Sequence, residues 1–341
     1  MGTGHSLLTG RDCPSPKIRR PAKLTAKMGD DETFSWVFES LVGFLKGPVW
    51  EAAVLTYIEK KSVVFDPVEG NEDEYKKLHN EYKNLVDTML SSHMEDLGIG
   101  PEEFERACSE TEKNIHSQFR KSLFEQLWAA DDYEIFKRMM TQKNLELQLQ
   151  ALDLLAHQYG LLPESFLPGE DYEPSDEEKN IMETVMKRYV EENSGEMKEI
   201  PQSLEQKEVI QATKAHLQEE RQREIKRMEK AIDSSLHDTS VRMEYEKPLE
   251  ITKMTEVSQE EARRRQEYLK QQRDKLLALK KQEREKLLQN YEKSSSDRPR
   301  SARAAKRMVE EEQTDADVDP KVLAFRKSLA AKLKAEVVDQ K

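Results

Sequence analysis

The sequence predicts an all-α protein with one packed domain near its N-terminus and a long polar remainder. Three observations predict it. Apolar residues recur at three- and four-residue spacing from residue 30 to about 160, and no stretch alternates with period two for the length of a strand. All three Trp (Trp36, Trp50, Trp128) and nine of the ten Phe lie before residue 170. The chain is polar overall, with a mean hydropathy of −0.87, 36% hydrophobic and 36% charged residues, too little apolar material for two ordinary cores in 341 residues.

The leader, 1–29, is rich in Gly, Ser, Pro and scattered cations and is expected to be disordered. Met28, followed by Gly-Asp-Asp, reads like an alternative start. "MGTGHS" fits the N-myristoylation pattern at Gly2, with Lys17, Arg19, Arg20 and Lys23 as a basic second signal. The pattern is short, and a chance match in a leader is the plainer reading.

The helical domain is expected over 30–165. Phe34, Val37, Phe38, Leu41, Phe44 and Leu45 form one stripe of a first helix, capped by Asp30 or Asp31. Gly47-Pro48 ends it, and Pro48 suits the first turn of a second helix carrying Trp50, Val54, Tyr57 and Ile58. An acidic loop, Phe65 to Glu74, leads to a third helix with Tyr75, Leu78, Tyr82, Leu85 and Met89, ending near Gly98. Pro101 starts a short fourth helix with Phe104 and Cys108 on one face. A fifth holds Ile115, Phe119, Leu123 and Leu127. Asp131 or Asp132 caps a long sixth with Ile135, Phe136, Met139, Met140, Leu145, Leu149, Leu152 and Leu155, stopped by Gly160 and Pro163.

Residues 166–255 read as an acidic and polar linker with transient helix. One segment opens with a capping box, Ser175 to Glu178. Residues 256–293 read as a charged helix or weak coiled coil. Ala262, Leu269 and Leu276 are seven apart, but the next position is Glu283, so the seam is broken. Residues 294–319 are expected to be disordered. Residues 320–341 form an amphipathic helix with Val322, Phe325, Leu329, Leu333 and Val337. A lone helix of this length is marginal in water, so it should dock on something.

The formal net charge is −12, but it is unevenly spread. Residues 28–165 carry 13 Lys and Arg against 27 Asp and Glu, 256–308 carry 16 against 9, and 1–27 carry 6 against 1. An acidic body between basic arms disfavours nucleic acid as a partner of the body. Two cysteines, Cys13 and Cys108, make no disulfide framework and suit a reducing compartment. No transmembrane segment and no secretory signal are expected.

The chemistry of catalysis is not signalled. The chain has no phosphate-cradling glycine motif, and its seven His are scattered, with His79 and His93 too far apart for a metal pair. "DADVDP", Asp315 to Pro320, mimics a calcium loop but has Pro320 where Gly is needed and Arg326 where Glu is needed. No cofactor, no metal and no enzymatic activity are expected. Binding remains, and Met89, Met139 and Met140 are adaptable side chains of the kind that line helix-accepting grooves. Core packing is the plainer reading of each.

Four separated blocks carry a resemblance: "WVFESLVGFLKGPVW", "YKKLHNEYKNLVDTML", "DDYEIFKRMMTQKNLELQLQAL" and "RRRQEYLKQQRDKLLALKKQ". Together they resemble the ciliary and flagellar proteins that join a BART-like domain to a coiled coil. "YEIFKRMM" and "HNEYKNLV" are the parts similar to BART itself. The resemblance implies a domain of about six helices that binds the GTP-bound form of an Arf-like small GTPase, taking the GTPase's N-terminal amphipathic helix into an apolar groove. On this reading the third, fifth and sixth helices build the groove from Leu78, Tyr82, Leu85, Met89, Leu123, Leu127, Phe136, Met139 and Met140. Glu72, Asp73 and Glu74 make a polar contact with the partner. The expected role is a ciliary adaptor or effector, in cytoplasm and cilium or flagellum with the nucleus left open, and with an unknown partner for the C-terminal helices. The alternatives are a structural coiled-coil component without GTPase-dependent binding and a myristoylated membrane scaffold. If Met140 lines the groove, Met140→Glu weakens GTPase binding and spares helicity; if it is core, helicity falls.

Overall fold

The computed structural model describes residues 30–65, 71–103, 106, 121–158, 176–193, 204–236, 256–294, 299–310 and 320–339. Every element among them is helical: α1 (Asp30–Leu45), α2 (Pro48–Ser62), α3 (Glu72–Leu97), α4 (Lys121–Ala129), α5 (Tyr133–Gln158), α6 (Asp176–Asn193), α7 (Leu204–Leu236), α8 (Glu256–Ser294), α9 (Arg300–Val309) and α10 (Pro320–Asp339). The all-α class read from apolar spacing is the class observed. The leader 1–29 and the residues Phe104, Cys108, Ile115 and Phe119 lie outside the described residues, as do the side chains of Phe34, Phe38, Ala262, Leu333 and Val337.

The helix ends follow local chemistry. At Gly47 a Cβ would lie 3.1 Å from the Gly43 carbonyl oxygen and 3.2 Å from that of Phe44, so glycine permits the tight passage into Pro48. The Asn71 side chain accepts hydrogen bonds from the Asp73 and Glu74 backbone N–H groups at the start of α3. Gly98, at φ 71°, closes α3 in the left-handed region. Asp132 caps α5 by accepting from the N–H groups of Glu134 (2.9 Å) and Ile135 (3.2 Å).

The core joins α1 to α5 around large rings. Trp50, Trp128, Tyr82, Phe65 and Phe136 are all fully buried. Tyr82 contacts Phe136 at 5.2 Å between ring centroids and Tyr57 at 5.7 Å. Two buried polar tips meet on one residue: Trp50 Nε1 donates to Gln126 Oε1 (3.0 Å), and the Tyr82 hydroxyl donates to the Gln126 carbonyl oxygen (3.0 Å).

The described helices of the polar remainder pack on this bundle. Helix α7 runs along α5, and α8 packs on α2, α5 and α6. Helix α9 packs on α2 and α3, and α10 on α3, α4 and α7. Few large apolar residues announce these contacts, because charge and small side chains make much of them. On α7, Met228 and Ala231 enter the main core, while Arg138 of α5 pairs with Glu224 (3.1 Å) and Lys214 with Asp153 of α5 (3.0 Å). On α9, Ser301, Ala302, Ala305 and Val309 are buried, short enough for close approach to α2 and α3. Asp96 of α3 caps that helix from outside, accepting from the backbone N–H of Arg300 (2.6 Å) and Ser301 (2.9 Å).

Helix α8 is held by a buried ionic cluster. Lys280 Nζ donates to Glu59 Oε1 of α2 (2.9 Å) and Glu178 Oε1 of α6 (3.2 Å). Arg284 donates through Nη1 to Glu59 Oε2 (2.6 Å) and through Nη2 to both oxygens of Glu178 (2.9 Å each). Lys143 of α5 lies 3.7 Å from Glu59. Leu276 and Leu279, from the broken heptad region, pack with Leu147, Leu154, Ile181, Val185 and Tyr189 of α5 and α6. That seam is therefore occupied within the chain.

Among the described residues no single helix is long and apolar enough to cross a membrane. The bent pair Glu39–Leu45 and Pro48–Ser62 has the composition of a broken span. Its Leu41, Leu45, Val49, Trp50, Val54 and Ile58 are interior to the bundle.

Candidate helix-accepting face

Helix α3 carries two buried stripes. The first holds Leu78, Tyr82, Leu85 and Met89. It faces α2, α4 and α5: the Leu78 carbonyl oxygen accepts from the Tyr57 hydroxyl (2.7 Å), and Tyr82 reaches Gln126 and Phe136. The second is found about two and a half turns from Leu78, on the opposite side of the helix, at Asp87. Leu90 and Met94 follow at three and seven residues and share that side, 1% and 2% exposed.

All nine residues expected to line a groove are buried, with Met139 the most exposed at 8%. The structure brings them together, but as interior wall between helices. Leu78, Tyr82, Leu85, Met89, Leu123, Leu127, Phe136, Met139 and Met140 all belong to one apolar cluster. Of the acidic trio, Asp73 and Glu74 are exposed in the first turn of α3, where a helix N-terminus favours negative charge. Glu72 is engaged within the chain. It accepts from the Tyr133 hydroxyl (2.5 Å) and pairs with Lys137, tying the start of α3 to that of α5.

The second stripe of α3 was not singled out from sequence. Its signal is the pair Leu90 and Met94 at four-residue spacing beside Asp87, in a helix otherwise dense in charge. Helix α10 meets this side at Asp87. Arg326 Nε donates to Asp87 Oδ1 (2.7 Å), and Nη1 donates to the Ala130 carbonyl oxygen just beyond α4 (2.8 Å). Val322, Phe325 and Leu329, at i, i+3 and i+7, are 1–2% exposed and join the main core cluster. Burial pushes the Asp87 carboxyl pKa above its ordinary value even with Arg326 bound to it.

Two imidazoles are buried beside these stripes. His79 bonds through Nε2 to the Ala129 carbonyl oxygen (2.9 Å), which makes that nitrogen the protonated one in the neutral ring. His93 stacks on Phe44 at 4.1 Å. Burial lowers both to about 4. Their unfolded values are about 6.5, so the unfolded chain takes up protons first as pH falls. The stability they confer is full above about 6.5 and is lost between there and about 4. His93 alone should cost on the order of 2 kcal/mol by pH 5. Thermal unfolding recorded from pH 7.5 to 5 should show a falling midpoint, and His93→Phe should flatten that slope. Among the described residues no cluster of His, Cys, Asp and Glu could hold a metal ion.

The sequence of α1 to α5 relates this region to known proteins. Residues 33–149 match the family described as the ARF-like 2 binding protein BART. The match covers α1 to α4 and most of α5, so the BART-like region contains both stripes of α3. Helices α6 to α10 lie outside it. Over 148 residues, 43% of this chain, the sequence is 36% identical to a Caenorhabditis elegans protein named cilia- and flagella-associated protein 36. The chain spans about a fifth of the length of that curated relative, 21%. Both likenesses are to proteins named for binding or for a structure they associate with. The BART-like region thus meets, among the described residues, five further helices that the family match does not include.

Proposed function

We propose that the BART-like region binds an Arf-like small GTPase in its GTP-bound form, and that the chain acts as an adaptor or effector at a cilium or flagellum. The match of 33–149 to the ARF-like 2 binding family carries the reading of the partner. The name of the C. elegans relative supports the location. The physics supports the mode. A GTPase that frees an amphipathic helix only when GTP is bound has a state-dependent affinity for any surface that accepts that helix. Such a surface needs an apolar stripe between helices, with polar groups at its edge to set register.

The α3–α4 side of the region supplies both, with Leu90 and Met94 as apolar floor and Asp87 as the polar register point. The nine interior residues, Leu78 to Met140, hold the wall behind it. Asp73 and Glu74 remain the polar partner contact, exposed at the start of α3, whereas Glu72 is spent on Tyr133 and Lys137. The coiled-coil alternative gains no support from α8, whose Leu276 and Leu279 pack inside the chain.

Calorimetric titration of the full chain with Arf-like GTPases, loaded with a GTP analogue or with GDP, tests the proposal. At least tenfold tighter binding of the GTP form is expected. Equal affinity for the two forms would overturn the effector reading, and no binding by a folded chain would show that the region keeps the fold without the activity.

A further inference from the structure

We infer that α10 is a built-in competitor for the helix-accepting face, a segment of the chain that occupies the place an incoming partner helix would take. The inference rests on the proposed function for the identity of that partner, but the self-docked helix stands on its own contacts.

Four observations carry it. Helix α10 presents the pattern a groove-bound helix needs, with Val322, Phe325 and Leu329 on one stripe and all three buried in the main core. It lies on α3 and α4, within 33–149, yet is itself outside that match. Its register is fixed by a buried cation, Arg326, on Asp87 and the Ala130 carbonyl oxygen, with Lys321 paired at the surface to Glu102 (3.1 Å). Its opposite side meets solvent, with Leu323 38% exposed.

The energetics suit release. A buried ion pair sets geometry strongly but adds little net stability, because both charges regain hydration when they separate. The apolar side chains of the helix then provide most of the holding energy, and an incoming helix that covers the same face replaces that term almost completely. Charge points the same way. Residues 320–341 are rich in Lys and Arg, and the domain they cover has 27 acidic against 13 basic residues over 28–165. A displacing helix is therefore expected to be amphipathic and to carry Lys or Arg one turn after its first apolar anchor, opposite Asp87.

The test compares the full chain with its Phe325→Glu/Leu329→Glu variant, which changes the covering helix and leaves the face intact. The first probe is a fluorescein-labelled synthetic peptide of residues 320–341, followed by anisotropy. The variant should bind it at least tenfold more tightly than the unaltered chain. Equal affinity would overturn the inference. The second probe is an Arf-like GTPase loaded with a GTP analogue. Tighter binding to the variant supports inference and function together. Equal, tight binding to both chains overturns the inference and leaves the function. Binding to neither, with the peptide still preferring the variant, upholds the self-docked helix and overturns the GTPase reading. Should the variant not fold, hydrogen exchange on the unaltered chain decides. Amides of 322–331 should exchange well before those of 75–94, and exchange of both sets in one step would mean α10 is permanent core.

Discussion

Arg284→Met is expected to lower the unfolding free energy of the chain by about 3–5 kcal/mol. The side chain bridges Glu59 of α2 and Glu178 of α6 from α8, and all three are buried, at 1–4% side-chain exposure. Removing the guanidinium leaves two carboxylates in the interior with Lys280 as the cation still bonded to both. The cost is that of a buried charge without its partner, which far exceeds the net worth of the intact pair. Urea unfolding measured by circular dichroism at pH 7 checks the magnitude. Lys286→Met, which removes a surface partner of Glu283, should leave the midpoint unchanged. The pH dependence has a definite sign. Burial opposes ionisation of Glu59 and Glu178, but Arg284 and Lys280 outweigh it and hold both carboxyls below their usual range. A depressed folded value gives stability that is complete above about 4.5 and declines as pH falls further. Arg284→Met should therefore unfold at neutral pH more readily and lose much of its acid sensitivity below pH 4.5.

This cluster also marks what the sequence could and could not disclose. The first three helices and the long α5 were legible, because Leu41, Leu45, Trp50, Tyr82 and Phe136 fall on apolar stripes of helical period, and caps such as Asp132 and the stop at Gly98 announce their ends. Lys280 and Arg284 read as solvated charges, since nothing local shows that acids in α2 and α6 wait for them. The signal that was present is long-range and electrostatic. An excess of acid over 28–165 faces an excess of base over 256–308 in the same chain, and the two meet at Glu59. Helix α9 was hidden for another reason. Three of its four buried positions are Ser301, Ala302 and Ala305, which pack because they are small, and Val309 alone makes no apolar stripe. The nine groove candidates fall in one apolar cluster, but periodicity cannot tell an uncovered stripe from an interior one. Asp87 was overlooked because its meaning depends on Arg326, 239 residues away.

The same distinction sets the outcome for Met140→Glu. At sequence level this substitution separates a groove residue from a core residue. In the structure Met140 is fully buried within the cluster that contains Tyr82, Leu127 and Phe136. It lies on α5, the helix that α2, α3, α4, α7 and α8 all pack against. A carboxylate there gains no solvent. An unpaired charge in such a place costs several kcal/mol, or is avoided by taking up a proton at a further cost. Lost packing of the thioether adds to this, since replacing a buried Met by a smaller side chain alone costs about 2–5 kcal/mol. The expected result is a chain that loses cooperative unfolding and part of its helical circular dichroism, with GTPase binding lost in proportion. Met140→Leu, which keeps volume and polarity, should stay within about 1.5 kcal/mol of the parent and bind as it does. A Met140→Glu chain of unchanged helicity and midpoint that no longer binds the GTP form would instead place Met140 at the partner surface. It would also require α5 to open where this conformation keeps it closed. Leu90→Glu offers the contrast, because Leu90 shares the side of α3 on which Asp87 meets Arg326 of α10: the charge can escape to water once α10 lifts. Its stability loss should therefore be smaller than that of Met140→Glu, while the loss of helix binding at that face should be greater than its loss of fold.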